Sequence, residues 1–162
     1  EGEGVRCLLQ EPGMKEAQRE AFLENFQNNR GTLVGFCVMG GIFSEGIDLT
    51  GEQLIGAVIV GTGLPQISRE REILKQFYDK AGENGFDYAY RFPGMNKVLQ
   101  AAGRVIRSRE DEGVILLLDQ RFLDSSYRRL FPEEWNDFQV CGLDTLEPQI
   151  EAFWKSRREA TN

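Results

Sequence analysis

Three side chains past the middle of the chain are of the types, and at the spacing, that phosphate chemistry uses. In Gln100-Ala101-Ala102-Gly103-Arg104-Val105-Ile106-Arg107, a helical period of 3.6 residues brings Gln100, Arg104 and Arg107 onto one face. Val98, Ala102, Val105 and Ile106 fall mostly on another. Two guanidiniums on one stripe repel each other unless an anion or a carboxylate lies between them, and the planar fork of arginine suits bidentate contact with phosphate oxygens. The acids just downstream, Glu110, Asp111 and Glu112, could supply that counter-charge from within the chain. The spacing alone therefore leaves a bound anion and an internal ion pair both open.

Two glycine-rich runs are further candidates. In Gly40-Gly41-Ile42-Phe43-Ser44-Glu45-Gly46-Ile47-Asp48, the glycines let backbone N–H groups approach a phosphate, while Glu45 and Asp48 present acceptors to an arginine or a ribose hydroxyl. Gly46 and Asp48 equally suit an ordinary turn into Thr50-Gly51. The second run is Gly61-Thr62-Gly63-Leu64-Pro65-Gln66. Asp119, at the end of an apolar run, reads as a helix cap or as a functional carboxylate. No GxxxxGK[ST] sequence is present, so the chain alone is not a complete P-loop enzyme. With no histidine, Ser-His-Asp and Cys-His catalysis and histidine metal ligation are excluded. Cys7, Cys37 and Cys141 are far apart and form no CxxC pair, so they read as small buried apolar residues in a reducing compartment, with neither a disulfide framework nor a metal site.

The elements that must position these residues follow from periodicity. Continuous apolar runs at residues 5–9, 33–39, 54–60 and 114–118 predict central parallel strands covered on both faces. Between them, Met14, Ala17, Ala21, Phe22 and Phe26 make one helical stripe, opened by Pro12-Gly13. Ile73, Leu74, Phe77, Tyr78 and Ala81 make another, closed by Gly82. A third helix is expected from Pro93 to about Arg107, and a last one from Glu147 or Pro148 to Glu159, with an edge strand over 137–141 and a packed connection over 82–90. Alternating strand and helix predicts an α/β fold with helices on both faces of a mostly parallel sheet. In such sheets ligands bind outside the carboxyl ends of the strands, where both glycine runs fall.

In this order the elements resemble the second RecA-like domain of superfamily 2 DNA helicases, in the DinG branch related to XPD. Residues 41–49 are similar to that family's motif V, and residues 100–107 to its motif VI. Likeness extends to Glu16-Ala17-Gln18-Arg19-Glu20-Ala21-Phe22, to Gly63-Leu64-Pro65-Gln66, to 113–119 with Gln120-Arg121-Phe122, and to Tyr127-Arg128-Arg129-Leu130-Phe131-Pro132. The resemblance implies a RecA-like, P-loop NTPase type of fold and ATP with Mg²⁺ held mainly by a first RecA-like domain. Arg107 is then the arginine finger and Arg104 its helper at the γ-phosphate. Gln100, Gly103, Glu45, Gly46 and Asp48 line the nucleotide side, and Gly41, Ser44, Thr62 and Gly63 contact single-stranded DNA through amides and hydroxyls. It also implies a bacterial, cytoplasmic, nucleoid-associated protein of DNA repair, with no metal or iron-sulfur cluster in this part.

Bulk properties fit. At 162 residues we expect one domain, 1–162, burying roughly 70% of the surface of its unfolded form. The acidic start and the lack of an initiator Met suggest an excised fragment of a larger helicase, with the first motor domain absent and no signal peptide or membrane span. A net charge of -7 argues against gripping nucleic acid by bulk positive potential, so any DNA contact is local. Two other classes remain: a catalytically inert RecA-like docking or regulatory module, and a flavodoxin-like or receiver-like domain, the latter disfavoured by the arginine helix and the lack of an acidic trio with a lysine after a strand.

Overall fold

The computed structural model describes residues 4–43, 49, 51–107 and 110–160, with Glu52 and Ala160 as backbone alone. Ser44, Glu45, Gly46 and Asp48 lie outside the described residues. The chain divides into two compact units, 1–128 and 129–162.

The first unit begins with a β-α-β arrangement. Strand β1 (Val5–Leu9) pairs in parallel with β2 (Thr32–Phe36), Val5 opposite Thr32 and Leu9 opposite Phe36. Helix α1 (Glu16–Gln27) links them, its start fixed by the Lys15 N–H donating to Gln18 Oε1 at 2.8 Å. Phe22 and Phe26 of α1 press on β2 at Gly35, where a Cβ would stand only 2.7 Å from Phe26 Cζ. A second parallel pair joins β3 (Gly56–Val60) to β4 (Val114–Leu118), Gly56 opposite Val114 and Val60 opposite Leu118. The expected α/β class with parallel strands is what the chain adopts, built from two strand pairs.

Helix α2 (Arg69–Lys80) follows β3, capped by Ser68, whose side chain accepts from the Arg71 N–H. It ends at Gly82, which has the left-handed φ of 84°, as its position after the apolar stripe led us to expect. The segment expected as a connection over 82–90 is instead helical from residue 85 onward. A π-helical turn over Asp87–Arg91 runs directly into α3 (Phe92–Ala102), with Pro93 in its first turn. Aromatic packing overrides the glycine signal here. Tyr88 stacks on Tyr78 of α2 at 3.8 Å between ring centroids, and buried Asp87 pairs with Arg91, whose guanidinium lies over the rings of Phe86 and Tyr127. One face of α3, Met95, Val98 and Ala102, is buried, the i, i+3, i+7 stripe of a helix on a core.

The strand runs are not covered on both faces. Leu9 and Phe36, side by side in the first pair, are 69% and 55% exposed, and Val60 and Leu118 in the second are 71% and 51% exposed. Cys7 lies on the same open face as Leu9 and Val34, and Cys7, Cys37 and Cys141 are all exposed, which corrects the expectation of buried thiols. After β4 comes the 3-10 turn Gln120–Leu123, then the short helix α4 (Ser125–Arg128).

In the second unit, Phe131 packs edge-on against Trp135 and Phe138. Residues 137–141 form no strand, because Phe138 is drawn into this aromatic cluster and its N–H turns back to the Trp135 carbonyl. Helix α5 (Leu143–Ala160) starts earlier than expected. Thr145 Oγ1 accepts from the Gly142 N–H at 3.0 Å and so closes the first turn. Pro148 lies inside the helix, in its second turn, where it has no N–H to donate to the Asp144 carbonyl.

Candidate functional site

Helix α3 links the two sets of residues singled out by sequence. Its first turns meet the loops that leave β2 and β3, and its last turn delivers the arginines.

At the first end, two glycines allow backbones to touch and a third makes room for a side chain. Gly63 has φ 66°, and a Cβ there would stand 2.6 Å from the Gly94 carbonyl oxygen and 3.1 Å from Met39 Sδ. A Cβ at Gly94 would stand 2.6 Å from the Thr62 carbonyl oxygen. Gly40, with φ 74°, lies under Lys97, whose Cδ and Cε would stand 3.0 and 3.1 Å from a Cβ at that position. The loops after β2 and β3 are thereby locked onto α3, joining the ends of the two strand pairs. Gln10, just past β1, completes the loop after β2: its Oε1 accepts from the Val38 N–H at 2.9 Å. Phe43 anchors the loop further on, stacked on Phe22 at 4.3 Å.

This packing changes what two expected DNA contacts can offer. The Gly41 N–H donates to the Val38 carbonyl at 2.9 Å, so that amide is already engaged. Thr62 is 1% exposed, and among the described residues its hydroxyl has no hydrogen-bond partner. It lies beneath the surface, since the glycine contacts draw its backbone against α3. Gly63 is half-buried.

At the other end, the helix stops short of the arginines. The expected stripe of Gln100, Arg104 and Arg107 on one helical face is corrected, because α3 ends at Ala102 and Gly103 is its C-cap. Arg104 and Val105 form a tighter turn, their N–H groups donating to the carbonyls of Ala101 (3.2 Å) and Ala102 (3.0 Å). Val105 is buried and lodged against Gly113, where any Cβ would overlap its Cγ1. The backbone N–H of Arg107 donates to Asp111 Oδ2 at 3.0 Å. Asp111, one of the acids weighed as a counter-charge, thus holds the backbone of Arg107. The turn is pinned on both sides, with Arg107 exposed, Arg104 half-buried, and Gln100 and Gly103 exposed on the turn before. Along α3, Gly94 and Ala102 are separated by about 12 Å at 1.5 Å per residue, so the loop junction and the arginine turn are distinct ends of one helix.

Asp119 resolves as a cap. Its Oδ1 accepts from the Arg121 backbone N–H at 2.9 Å, and its carboxylate takes two further bonds from that guanidinium at 2.9 and 2.7 Å. The Arg121 side-chain bond holds the Asp119 carboxyl below the usual carboxylate range. Among the described residues no group of three or more His, Cys, Asp and Glu side chains could hold a metal ion, and no helix is long and apolar enough to cross a membrane. Sequence reasoning missed Lys97, one turn before Gln100, and Gly94, next to Pro93. The available signal was their place on the same helix as the arginines.

The profile of the helicase C-terminal domain family matches residues 2–138, which include the loop junction, α3, the arginine turn and β4. The chain belongs to the helicase C-terminal domain family. Relatives include a "Probable ATP-dependent helicase" of Methanocaldococcus jannaschii, 29% identical over 88% of this chain and 23% of its own length. A "Regulator of telomere elongation helicase 1 homolog" of Caenorhabditis elegans is 29% identical over 96% of this chain and 17% of its own length. An ATP-dependent DNA helicase from the same organism is 33% identical over 68% of this chain and 13% of its own length. The chain therefore spans less than a quarter of the length of these relatives. Family and relatives are consistent with the DinG/XPD-like resemblance of motifs V and VI.

Proposed function

We propose that residues 1–162 form the second motor domain of an ATP-dependent DNA helicase. In this reading it supplies an arginine finger and a DNA-facing loop to a site whose phosphate loop and Mg²⁺ belong to a first RecA-like domain. The observation that carries the reading is the arginine turn. Arg107 is exposed just beyond the end of α3, on a backbone held by Asp111 and by the seat of Val105 against Gly113. Such a group can meet a triphosphate on another lobe when a cleft closes. Charge developing on the transferred phosphoryl oxygens then favours closure in the transition state. Arg104 assists, and Gln100 and Gly103, with Glu45, Gly46 and Asp48 of motif V, face the nucleotide. Gly41, Ser44, Thr62 and Gly63 lie on the DNA side, Thr62 in a positioning role beneath the loop.

The isolated chain is inactive in this reading and binds single-stranded DNA weakly, as its acidic charge requires. By its likeness to the DinG branch, we place the protein in the bacterial cytoplasm, at the nucleoid, in DNA repair.

The test is Arg107→Ala in the intact protein. A finger contributes about 10³ to 10⁵ in rate, or about 4 to 7 kcal/mol. DNA-stimulated ATP hydrolysis should therefore fall by that factor while the melting temperature stays nearly constant. Normal turnover with a large drop in melting temperature would make the arginine structural and favour an inert docking module.

A further inference from the structure

Two of the groups offered for phosphate at the loop junction are out of reach: the Gly41 amide is bonded to the Val38 carbonyl, and the Thr62 hydroxyl is buried beneath the surface. One cationic side chain reaches the same place. Lys97 lies along the backbone of Gly40, its Cδ and Cε within 3.0 and 3.1 Å of where a Cβ would be, so its ammonium is carried one bond beyond that contact. Gly40 is required there twice over, by its φ of 74° and by the lysine stem that occupies the side-chain space. Among the described residues Lys97 has no ion-pair partner, whereas Lys75 pairs with Asp79 and Arg91 with Asp87. In a chain with 26 acidic and 19 basic residues, such a cation at the carboxyl ends of the strands asks for an anion from outside.

We propose that Lys97 is a nucleic-acid contact, its ammonium binding a backbone phosphate of single-stranded DNA where the strand crosses the loop after β2. This deepens the helicase reading and rests on it. Two features favour a DNA phosphate over a nucleotide phosphate. Lys97 sits on the loop after β2, and about 7 Å of helix separates it from the end of α3 where the arginines begin. A lysine acts as a point charge without base readout, which suits a motor that must pass every sequence. Because Lys97 belongs to the helix that ends in the arginine turn, a phosphate bound there pulls on the same rigid element that presents Arg107.

The experiment is Lys97→Gln in the intact protein, which removes the charge and lays a neutral amide where the Cδ and Cε methylenes pass over Gly40, with Lys97→Arg beside it. Binding of a fluorescent oligothymidylate is followed by anisotropy across a salt series, and ATP hydrolysis is titrated with the same oligonucleotide and with ATP. We expect Lys97→Gln to weaken oligothymidylate binding several-fold at low salt and to reduce the slope of log affinity against log salt by about 0.7, one single-strand phosphate contact. Half-saturation by DNA should rise well beyond any change in KM for ATP, and Lys97→Arg should restore the slope. An unchanged slope, or an effect confined to KM for ATP, would overturn the proposal. Arg107→Ala separates the two readings: normal turnover in that variant sinks the motor assignment, whereas a lost salt increment in Lys97→Gln still reports a phosphate contact directly.

Discussion

If the loops after β2 and β3 are held to α3 by glycine contacts, substitutions at three glycines should cost different amounts for separable reasons. Gly61 has φ 84° and nothing within 4 Å of a Cβ. Gly61→Ala therefore carries only left-handed backbone strain, about 1 to 2 kcal/mol. Gly94 is helical with no positive φ, but its Cβ would stand 2.6 Å from the Thr62 carbonyl oxygen, against at least 3.4 Å for ordinary contact. Both groups belong to backbone, so Gly94→Ala must open the junction by most of an ångström, an overpacking cost of about 1 to 3 kcal/mol. Gly63→Ala combines both terms, with φ 66° and a Cβ 2.6 Å from the Gly94 carbonyl oxygen, and should cost about 2 to 5 kcal/mol. The assay is urea unfolding of the three variants followed by circular dichroism, compared at equal m-values. In the double variant the costs should fall short of additive, since one opening of the junction relieves both contacts. Equal losses for Gly61→Ala and Gly63→Ala would refute the close approach of loop and helix, and with it the account of how α3 positions the site.

Two further outcomes follow from titrating groups. Asp119 has its folded pKa depressed by the Arg121 guanidinium, so its contribution to stability is fully present above the ordinary carboxylate pKa of about 4. It is lost as pH falls through the lower folded value. Asp119→Asn should flatten this acid limb in pH-dependent melting and leave the alkaline side unaltered; an unchanged acid limb would contradict the capping geometry. Cys37 is exposed, yet desolvation around its thiol raises its pKa. In the Cys7→Ser, Cys141→Ser variant it should react with a maleimide under native conditions, with a half-maximal rate at a pH above that of a free cysteine. Complete protection would return Cys37 to the buried class.

What the sequence disclosed depended on how local its cause was. The bounds of β1 and β4 were legible because each is a short β-prone stretch, broken only by Arg6 in β1, between a glycine and a polar residue. Gly82 marked the end of α2 because a left-handed C-terminal residue favours glycine. The region over 82–90 misled for the opposite reason: its glycines signalled a connection, while Tyr78 against Tyr88 and Asp87 against Arg91 are tertiary pairings that periodicity does not encode. The candidate site divides the same way. Motifs V and VI were recognisable as strings, but Lys97 became significant only when α3 brought it across Gly40. The burial of Thr62 depended likewise on Gly94 meeting Gly63.

The end of α3 at Ala102 matters more for function than the helical stripe that periodicity suggested. On a continued helix, Arg104 and Arg107 would be fixed by the same turns that bury Val98 and Ala102, and their reach would be set by the core. In the turn observed, Gly103 ends the helix and Val105 fills the space at Gly113. The burial that secures the segment is therefore assigned to a residue between the arginines. Asp111 takes the Arg107 backbone N–H, tying the main chain. The main chain between the arginines is thus held by Val105 and by the Asp111 carboxylate. That is the arrangement needed if a cation is to be preorganised for a charge that appears only when two lobes meet.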